Sequence, residues 1–317
     1  MIVPASDQGI ARAAEALQRG ELVAFPTETV YGLGADATNA MAVAAIFELK
    51  GRPRFNPLIV HVGDTGMAER YGILTDTAKR LAHAFWPGAL TLVVAKRKDA
   101  GIADLTTAGL DTIALRAPDH AVARSLLDRT GLPIAAPSAN RSGHVSPTLA
   151  QHVEDDLGDG PAMILDGGAT VQGIESTVID TTAERPILLR PGAVPREAIE
   201  DVLGMALVAG TGQGKIASPG QLECHYAPRA KLRLNADSVE AAEALLAFGP
   251  DVPSGASPVF NLSPSGDLRE AAANLFRALR ELDGSGADTI AAMPIPNEGL
   301  GEAINDRLRK AAAPKKS

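Results

Sequence analysis

Two short stretches of this sequence combine cationic and small polar side chains in patterns that suit an anionic ligand. In the first, Lys50 and Arg52 stand two residues apart, and Pro53 favours an extended backbone at the residue before it. Side chains two apart in an extended chain point the same way, so both cations can face one phosphate. The pattern also fits a plain helix C-terminus, where cations complement the helix dipole.

The second stretch, residues 136–143, follows a predicted buried strand. Ser138 and Asn140 offer a hydroxyl and an amide where a loop can hydrogen-bond a ligand at the end of a sheet. The same residue types also build ordinary turns. This stretch alone therefore fits either a ligand site or a turn.

Two predicted strands carry further polar side chains. His61 stands among apolar residues in the strand 58–62, which fits a ligand contact or a half-buried structural histidine. Thr112 and Arg116 stand four positions apart in one strand, so they face the same side of the sheet. Arg116 precedes Ala117-Pro118 and can equally be a surface cation.

Composition places the chain among globular α/β proteins. Its 317 residues suggest about two domains, at ~150 residues each. The net charge is −8 and aromatic residues make up 3%, whereas nucleic-acid binders are usually basic and stack bases on aromatic rings. We therefore expect a small anionic ligand held by local cations, and no tight nucleic-acid binding.

Cysteine and histidine usage argues against a metal centre. Cys224 is the single cysteine and the six histidines are scattered, so we expect no metal site built from protein side chains. A reducing compartment fits this usage. Charged residues interrupt the N-terminal segment and no apolar run reaches ~18 residues, so we expect no signal peptide and no membrane span. A cytoplasmic location is the expected one.

Helix and strand patterns over residues 1–205 predict a mixed, twisted sheet rather than a uniform β/α repeat. The expected helices are 6–19, 38–50, 75–85 and 120–130, with Gly51 where a left-handed glycine commonly ends a helix. The expected strands are 22–26, 58–62, 90–95, 112–116 and 134–136.

A Gly/Pro-rich linker at residues 206–228 precedes a second pattern at residues 229–317. Here short strands alternate with helices, which predicts a smaller, Rossmann-like β/α domain with a parallel sheet. The expected strands are 232–234, 258–262 and 289–292, and the expected helices are 239–247, 267–282 and 300–312.

Five stretches in a fixed order resemble the YrdC-like family. They are residues 25–34, 50–58, 137–140, 173–180 and 189–192. Two later stretches are similar to the longer, two-domain form of the family, threonylcarbamoyl-AMP synthase. The first runs from Ser218-Pro219-Gly220 to His225-Tyr226-Ala227-Pro228, and the second is 297–309.

The resemblance implies an α/β fold in which a twisted mixed sheet surrounds a large, concave, basic cavity. It implies an enzyme that makes L-threonylcarbamoyladenylate and pyrophosphate from L-threonine, bicarbonate or CO2, and ATP. Mg²⁺ would enter with ATP. A separate transfer complex would use the product for threonylcarbamoyladenosine modification of tRNA.

The resemblance also implies roles for single residues. Lys50 and Arg52 would be catalytic and would neutralise the triphosphate. The other residues expected at the nucleotide are Asn56, Thr112, Ser138, Asn140, Ser146, Arg190 and Tyr226. Those expected at L-threonine are Thr29, His61, Arg116, Ala136 and Ser176, with Arg116 as the fork for the carboxylate. Tyr226 would cover the nucleotide as a lid, or would anchor the linker by packing.

Two other functions fit parts of the sequence. A basic YrdC-like concavity suggests an RNA-binding module, which the net charge disfavours. Carbamoyl-transferring YrdC modules of hydrogenase-maturation proteins carry cysteine zinc fingers, which one cysteine cannot form. The run Gly212-Gln213-Gly214-Lys215 lacks the spacing of a phosphate-binding P-loop and predicts a flexible linker.

Overall fold

The computed structural model describes residues 1–210, 225–240 and 242–314. Two sheets organise these residues, a large one in the first part of the chain and a small one in the second. The strands of the large sheet are β1 (Ile2–Pro4), β2 (Val23–Pro26), β3 (Tyr31–Asp36), β4 (Ile59–His61), β5 (Gly72–Ile73), β6 (Leu90–Lys96), β7 (Thr112–Arg116), β8 (Ile134–Ala135), β9 (Met163–Asp166), β10 (Thr177–Asp180), β11 (Ile187–Arg190) and β12 (Val208–Ala209). The helices are α1 (Asp7–Gln18), α2 (Ala40–Lys50), α3 (Thr65–Tyr71), α4 (Asp76–Phe85), α5 (Ala121–Thr130), α6 (Ala150–Leu157) and α7 (Arg196–Leu203).

The large sheet mixes parallel and antiparallel pairs, as the sequence predicted. Its strand order is β1-β9-β2-β3-β8-β4-β7-β6-β10-β11-β12, with β5 paired to β6. β4 runs parallel to β7 and β6 runs parallel to β10, whereas β8 runs antiparallel to β3 and β4, and β6 runs antiparallel to β7. The register of β4 and β7 sets His61 directly beside Arg116. Two polar residues far apart in sequence therefore lie side by side at the ends of two neighbouring strands.

Local capping signals fix where α2 ends and where its cations lie. The Asn39 side chain accepts hydrogen bonds from the main-chain N–H groups of Met41 and Ala42. Gly51 follows the helix at φ 60°, a left-handed conformation that glycine adopts without a side-chain clash. Lys50 is thus the last helical residue, and Arg52 lies in the chain that leaves the helix.

The small sheet is parallel, as predicted. Its strands are β13 (Lys231–Arg233), β14 (Ala244–Ala247), β15 (Val259–Asn261) and β16 (Thr289–Ala292), in the order β13-β16-β14-β15. Its helices are α8 (Leu268–Gly284) and α9 (Leu300–Ala312). The predicted helix 239–247 is wrong, because β14 occupies its second half and all four of its residues are buried. Burial on both faces overrides the helix propensity of this alanine- and leucine-rich run.

The two parts of the chain share one apolar core at their junction. Val30 and Ile174 of the first part belong to the same buried cluster as Phe276 and Ile304 of the second. Gly173 is so close to α8 that a Cβ there would lie 2.4 Å from the Ala273 carbonyl oxygen. Of the predicted linker 206–228, residues 211–224 lie outside the described residues, so the domain boundaries stay a prediction.

A search of the described helices for membrane-crossing segments finds none long and apolar enough.

Candidate active site

A cavity opens where the ends of β4, β7 and β8 meet the chain entering β10. Its wall combines three arginines with hydroxyl groups, a glutamate, two histidines and a tyrosine. The lining residues are Thr27, Thr29, Val30, Gly32, Arg52, Ile59, His61, Arg116, Ala136, Pro137, Ser138, Glu175, Ser176, Arg190, His225 and Tyr226.

Lys50 and Arg52 lie close to each other at this cavity, and Arg52 is the one that lines it. Lys50 is 4% exposed, and its Nζ donates to the main-chain oxygens of Ser138, at 2.6 Å, and Asn140. Arg52 donates from Nε to the Asn56 carbonyl at 3.1 Å and from Nη2 to the Pro57 carbonyl at 2.8 Å. These bonds hold both side chains in one place before any ligand arrives.

Within the described residues no carboxylate forms an ion pair with either cation, and both side chains donate only to main-chain carbonyls. Burial, reinforced by the charge of Arg52, lowers the pKa of Lys50 well below its usual value. Burial and the charge of Arg190 likewise lower the pKa of Arg52. An anion placed here would relieve both effects, because an opposite charge favours the protonated form.

Arg190 organises the chain around Ser176. Its Nε and Nη2 donate to the Ser176 carbonyl at 3.1 and 2.8 Å, and Nη2 also reaches the Ser176 Oγ at 3.1 Å. The Ser176 hydroxyl lies 2.7 Å from Thr91 Oγ1. Both hydroxyl and guanidinium therefore face the cavity in fixed orientations.

Arg116 is the third arginine of the wall. Its Nη2 donates to Glu28 Oε1 at 2.6 Å and its Nε to the Gly88 carbonyl at 3.2 Å, and the ion pair is almost fully buried. Nη1 makes no hydrogen bond within the described part of the chain, so its two N–H groups are available to a ligand. Burial and the charge of Arg116 lower the pKa of neighbouring His61 to about 3, so this imidazole is neutral near pH 7.

The structure brings most of the predicted site residues together. Those on the cavity wall are Arg52, Ser138, Arg190, Tyr226, Thr29, His61, Arg116, Ala136 and Ser176. Lys50, Asn56, Asn140 and Ser146 are buried behind the wall rather than on it. Thr112 is not brought to the cavity, because it begins β7, opposite Ala95, at the other end of the strand from Arg116. All assigned roles stay predictions.

His225 and Tyr226 enter the cavity from the C-terminal part of the chain. Tyr226 is 1% exposed, adopts φ 64°, and stacks on Phe276 with ring centroids 5.5 Å apart. Burial raises the pKa of Tyr226 to about 12 and lowers that of His225 to about 3. With both rings in place the free volume of the cavity is about 50 Å³. Ligand pockets usually offer about 300–1,000 Å³, so substrates must displace part of this lining.

Sequence reasoning missed four charged or titratable groups at the site, namely Glu28, Glu175, His225 and Arg307. Glu28 and Glu175 both stand inside stretches that carried the resemblance, but only their neighbours had received roles. Arg307 of α9 donates a hydrogen bond to Glu175. In the sequence, only its position within the family-like stretch 297–309 pointed to this residue. The described residues contain no cluster of three His, Cys, Asp or Glu that could hold a metal ion.

Comparison with known proteins identifies the family. The model Sua5_yciO_yrdC, described as telomere recombination, matches residues 15–192. The chain belongs to this Sua5/YciO/YrdC family. A second model, described as the C-terminal domain of threonylcarbamoyl-AMP synthase, matches residues 194–313 of this Sua5-type chain.

Full-length relatives agree with this assignment. The Sua5-type chain is 44% identical to a threonylcarbamoyl-AMP synthase of Bacillus subtilis, covering 97% of this chain and 94% of the relative. It is also 44% identical to one of Pyrococcus abyssi, covering 95% and 93%. The crystal structure of P. abyssi Sua5 complexed with L-threonine superposes with a TM-score of 0.91 and 40% identity, over 98% of this chain and 97% of that one.

Proposed function

We propose that this chain is a threonylcarbamoyl-AMP synthase, a nucleotidyltransferase that makes L-threonylcarbamoyladenylate and pyrophosphate from L-threonine, bicarbonate or CO2, and ATP. Two relatives with this name match over nearly the whole chain, and a similar structure carries L-threonine. The observation that carries the proposal for this chain is the pair of buried cations, Lys50 and Arg52, which have no carboxylate partner within the described residues and lie beside the arginine-lined cavity.

The chemistry needs an amino acid and a triphosphate in one cavity. The threonine amine adds to CO2, or condenses with bicarbonate and releases water, to give a carbamate. A carbamate oxygen then attacks the α-phosphorus of ATP, and the bond from that phosphorus to the pyrophosphate oxygen breaks. Charge accumulates on phosphoryl oxygens throughout, so catalysis depends on fixed cations and on orientation.

The wall residues divide between the two substrates. Lys50, Arg52 and Arg190 would face the triphosphate, where buried cations act at their strongest because little water screens them. Ser138 would hydrogen-bond the nucleotide, with Asn56, Asn140 and Ser146 supporting that wall from behind. Thr112 begins its strand away from this wall, which weakens its proposed contact.

Threonine would lie on the other side of the cavity. The free Nη1 of Arg116 would bind its carboxylate, with Thr29, His61, Ala136 and Ser176 around it. Neutral His61 suits an uncharged hydrogen bond there better than a second positive charge. Tyr226 would cover the nucleotide once it has moved aside to admit it.

The remaining participants follow from the chemistry. Mg²⁺ would be held by the triphosphate oxygens, because Glu28 and Glu175 are already paired with arginines. The product would be consumed by a tRNA threonylcarbamoyl-transfer complex in the cytoplasm.

The test is pyrophosphate release from ATP, Mg²⁺ and bicarbonate, with and without L-threonine. Wild type should release pyrophosphate only when threonine is present. Lys50→Met should lower the rate about 10²- to 10³-fold, the usual loss when one preorganised donor is removed. Lys79→Met, which removes a half-exposed lysine paired with Glu69, should match wild type. Threonine-independent release, or an active Lys50→Met enzyme of native circular dichroism, would contradict the proposal.

A further inference from the structure

Arg307 is a fully buried arginine that the small domain contributes next to the cavity. It lies on α9 with 0% exposure. Its Nε donates to Glu175 Oε2 at 2.8 Å, and its Nη1 donates to the Pro191 carbonyl at 2.9 Å and to Asp306 Oδ2 at 2.7 Å. Its guanidinium carbon also lies 5.2 Å from the centre of the Tyr226 ring.

Arg307 joins two chain segments that carry cavity residues. Glu175 directly precedes Ser176, and Pro191 directly follows Arg190. The segments already touch, because the Ala193 N–H donates to the Glu175 carbonyl at 3.0 Å. The Arg307 guanidinium therefore holds the two segments whose residues Arg190 and Ser176 are hydrogen-bonded to each other.

Arg307 also balances the charge of Glu175. This carboxylate lines the cavity and is ionised: burial acts to raise its pKa, but Arg307 and Arg190 hold that pKa at about 2. Its other oxygen accepts from Ser146 Oγ at 2.5 Å. Without Arg307 a buried negative charge would stand in a cavity that has to admit a triphosphate, and at short range in a dry site this repulsion is large.

We propose that Arg307 is a positioning residue of the active site: it neutralises Glu175 and locks the Ser176 and Arg190 segments in place for the nucleotide. The small domain is then part of the catalytic apparatus rather than an appendage. The inference rests on the proposed synthase function, because it takes the triphosphate as the ligand that the neutralised wall receives.

The test compares two arginines that cross the same domain junction. Arg307→Met should raise the Kd for ATP, measured by equilibrium dialysis, and lower pyrophosphate release by about 10- to 100-fold, as expected for a small displacement of reacting groups. Arg196→Met removes an ion pair with Glu302 of the same helix α9, and this pair touches no wall residue. That control should bind ATP like wild type even where its Tm falls.

Two further variants separate a positioning role from a merely structural one. Arg307→Lys keeps the charge but loses the fork, so it should fall between wild type and Arg307→Met. Arg307→Met combined with Glu175→Gln removes both buried charges, so it should fold and regain ATP affinity relative to the single variant. The inference is overturned if Arg307→Lys and Arg307→Met both bind ATP with wild-type affinity. It is also overturned if the double variant binds ATP no more tightly than Arg307→Met does. Wild type without threonine-dependent pyrophosphate release would instead overturn the proposed function, and the ATP affinities would still test Arg307.

Discussion

Replacing Arg116 with lysine tests the threonine side of the cavity most directly. The guanidinium uses Nη2 for Glu28 and Nε for Gly88, which leaves the two N–H groups of Nη1 for a substrate carboxylate. A lysine keeps the positive charge, but its single ammonium cannot hold Glu28, the carbonyl and the ligand in the same planar arrangement. We therefore expect Arg116→Lys to lose about one charge-assisted hydrogen bond to threonine.

The expected rise in the KM for L-threonine follows from the loss of this one hydrogen bond. A hydrogen bond to a charged group contributes about 1.5–3 kcal/mol, which corresponds to about a 10- to 150-fold rise in the KM for L-threonine. The KM for ATP should change far less, because Lys50 and Arg52 keep their own partners. Folding should survive, since the substituted cation still neutralises buried Glu28.

The assay is pyrophosphate release against L-threonine concentration at saturating ATP, and then the reverse titration. Arg124→Lys serves as the matched control, because that arginine is more than half exposed and pairs with Asp119 at 4.0 Å. An unchanged KM for threonine in Arg116→Lys would refute the carboxylate assignment. A parallel rise of both KM values would show that Arg116 supports the whole cavity rather than one substrate.

Two more predictions follow from close packing and from buried titratable groups. Gly192→Ala should lower the free energy of unfolding by about 1–3 kcal/mol and depress pyrophosphate release, because its Cβ would lie 2.4 Å from the main chain of Ser176 and Thr177. Gly284→Ala, where no heavy atom lies within 4 Å, should be neutral or slightly stabilising in the same urea titrations. Burial lowers the pKa of His61 in the folded protein to about 3, from an ordinary value of 6.5. The unfolded chain therefore binds more protons in this window, and stability falls as pH drops from 6.5 towards 3. His61→Gln should flatten that slope by up to about 1.4 kcal/mol per pH unit, and an unaltered slope in urea unfolding would contradict the assignment.

Local signals made part of the fold predictable from sequence. Capping residues and a left-handed glycine act within a few positions of a helix end, so the end of α2 at Lys50, with Gly51 after it, came out as predicted. Lys50 and Arg52 could likewise be proposed as site cations because the motif around them is short and ordered. These features depend on neighbours in sequence, which a single chain displays directly.

Elements that depend on distant contacts were missed. β3 (Tyr31–Asp36) contains two glycines, which are rare in strands, and was not among the expected strands. Its Gly34 is needed because a Cβ there would come within 2.7 Å of the Phe25 ring and 2.9 Å of Ile134. The pairing of Arg307 with Glu175 joins residues 132 positions apart, so no local pattern could reveal it.

The positions of the His225 and Tyr226 rings limit the rate at which ATP can associate with this protein. The two rings leave about 50 Å³ of free space in the cavity. A nucleotide can therefore bind only during the fraction of time in which the rings have moved out of the cavity. Apparent affinity is reduced by that fraction. The observed rate of ATP association should then level off at high ATP concentration. Its limiting value is the rate at which the two rings move out of the cavity.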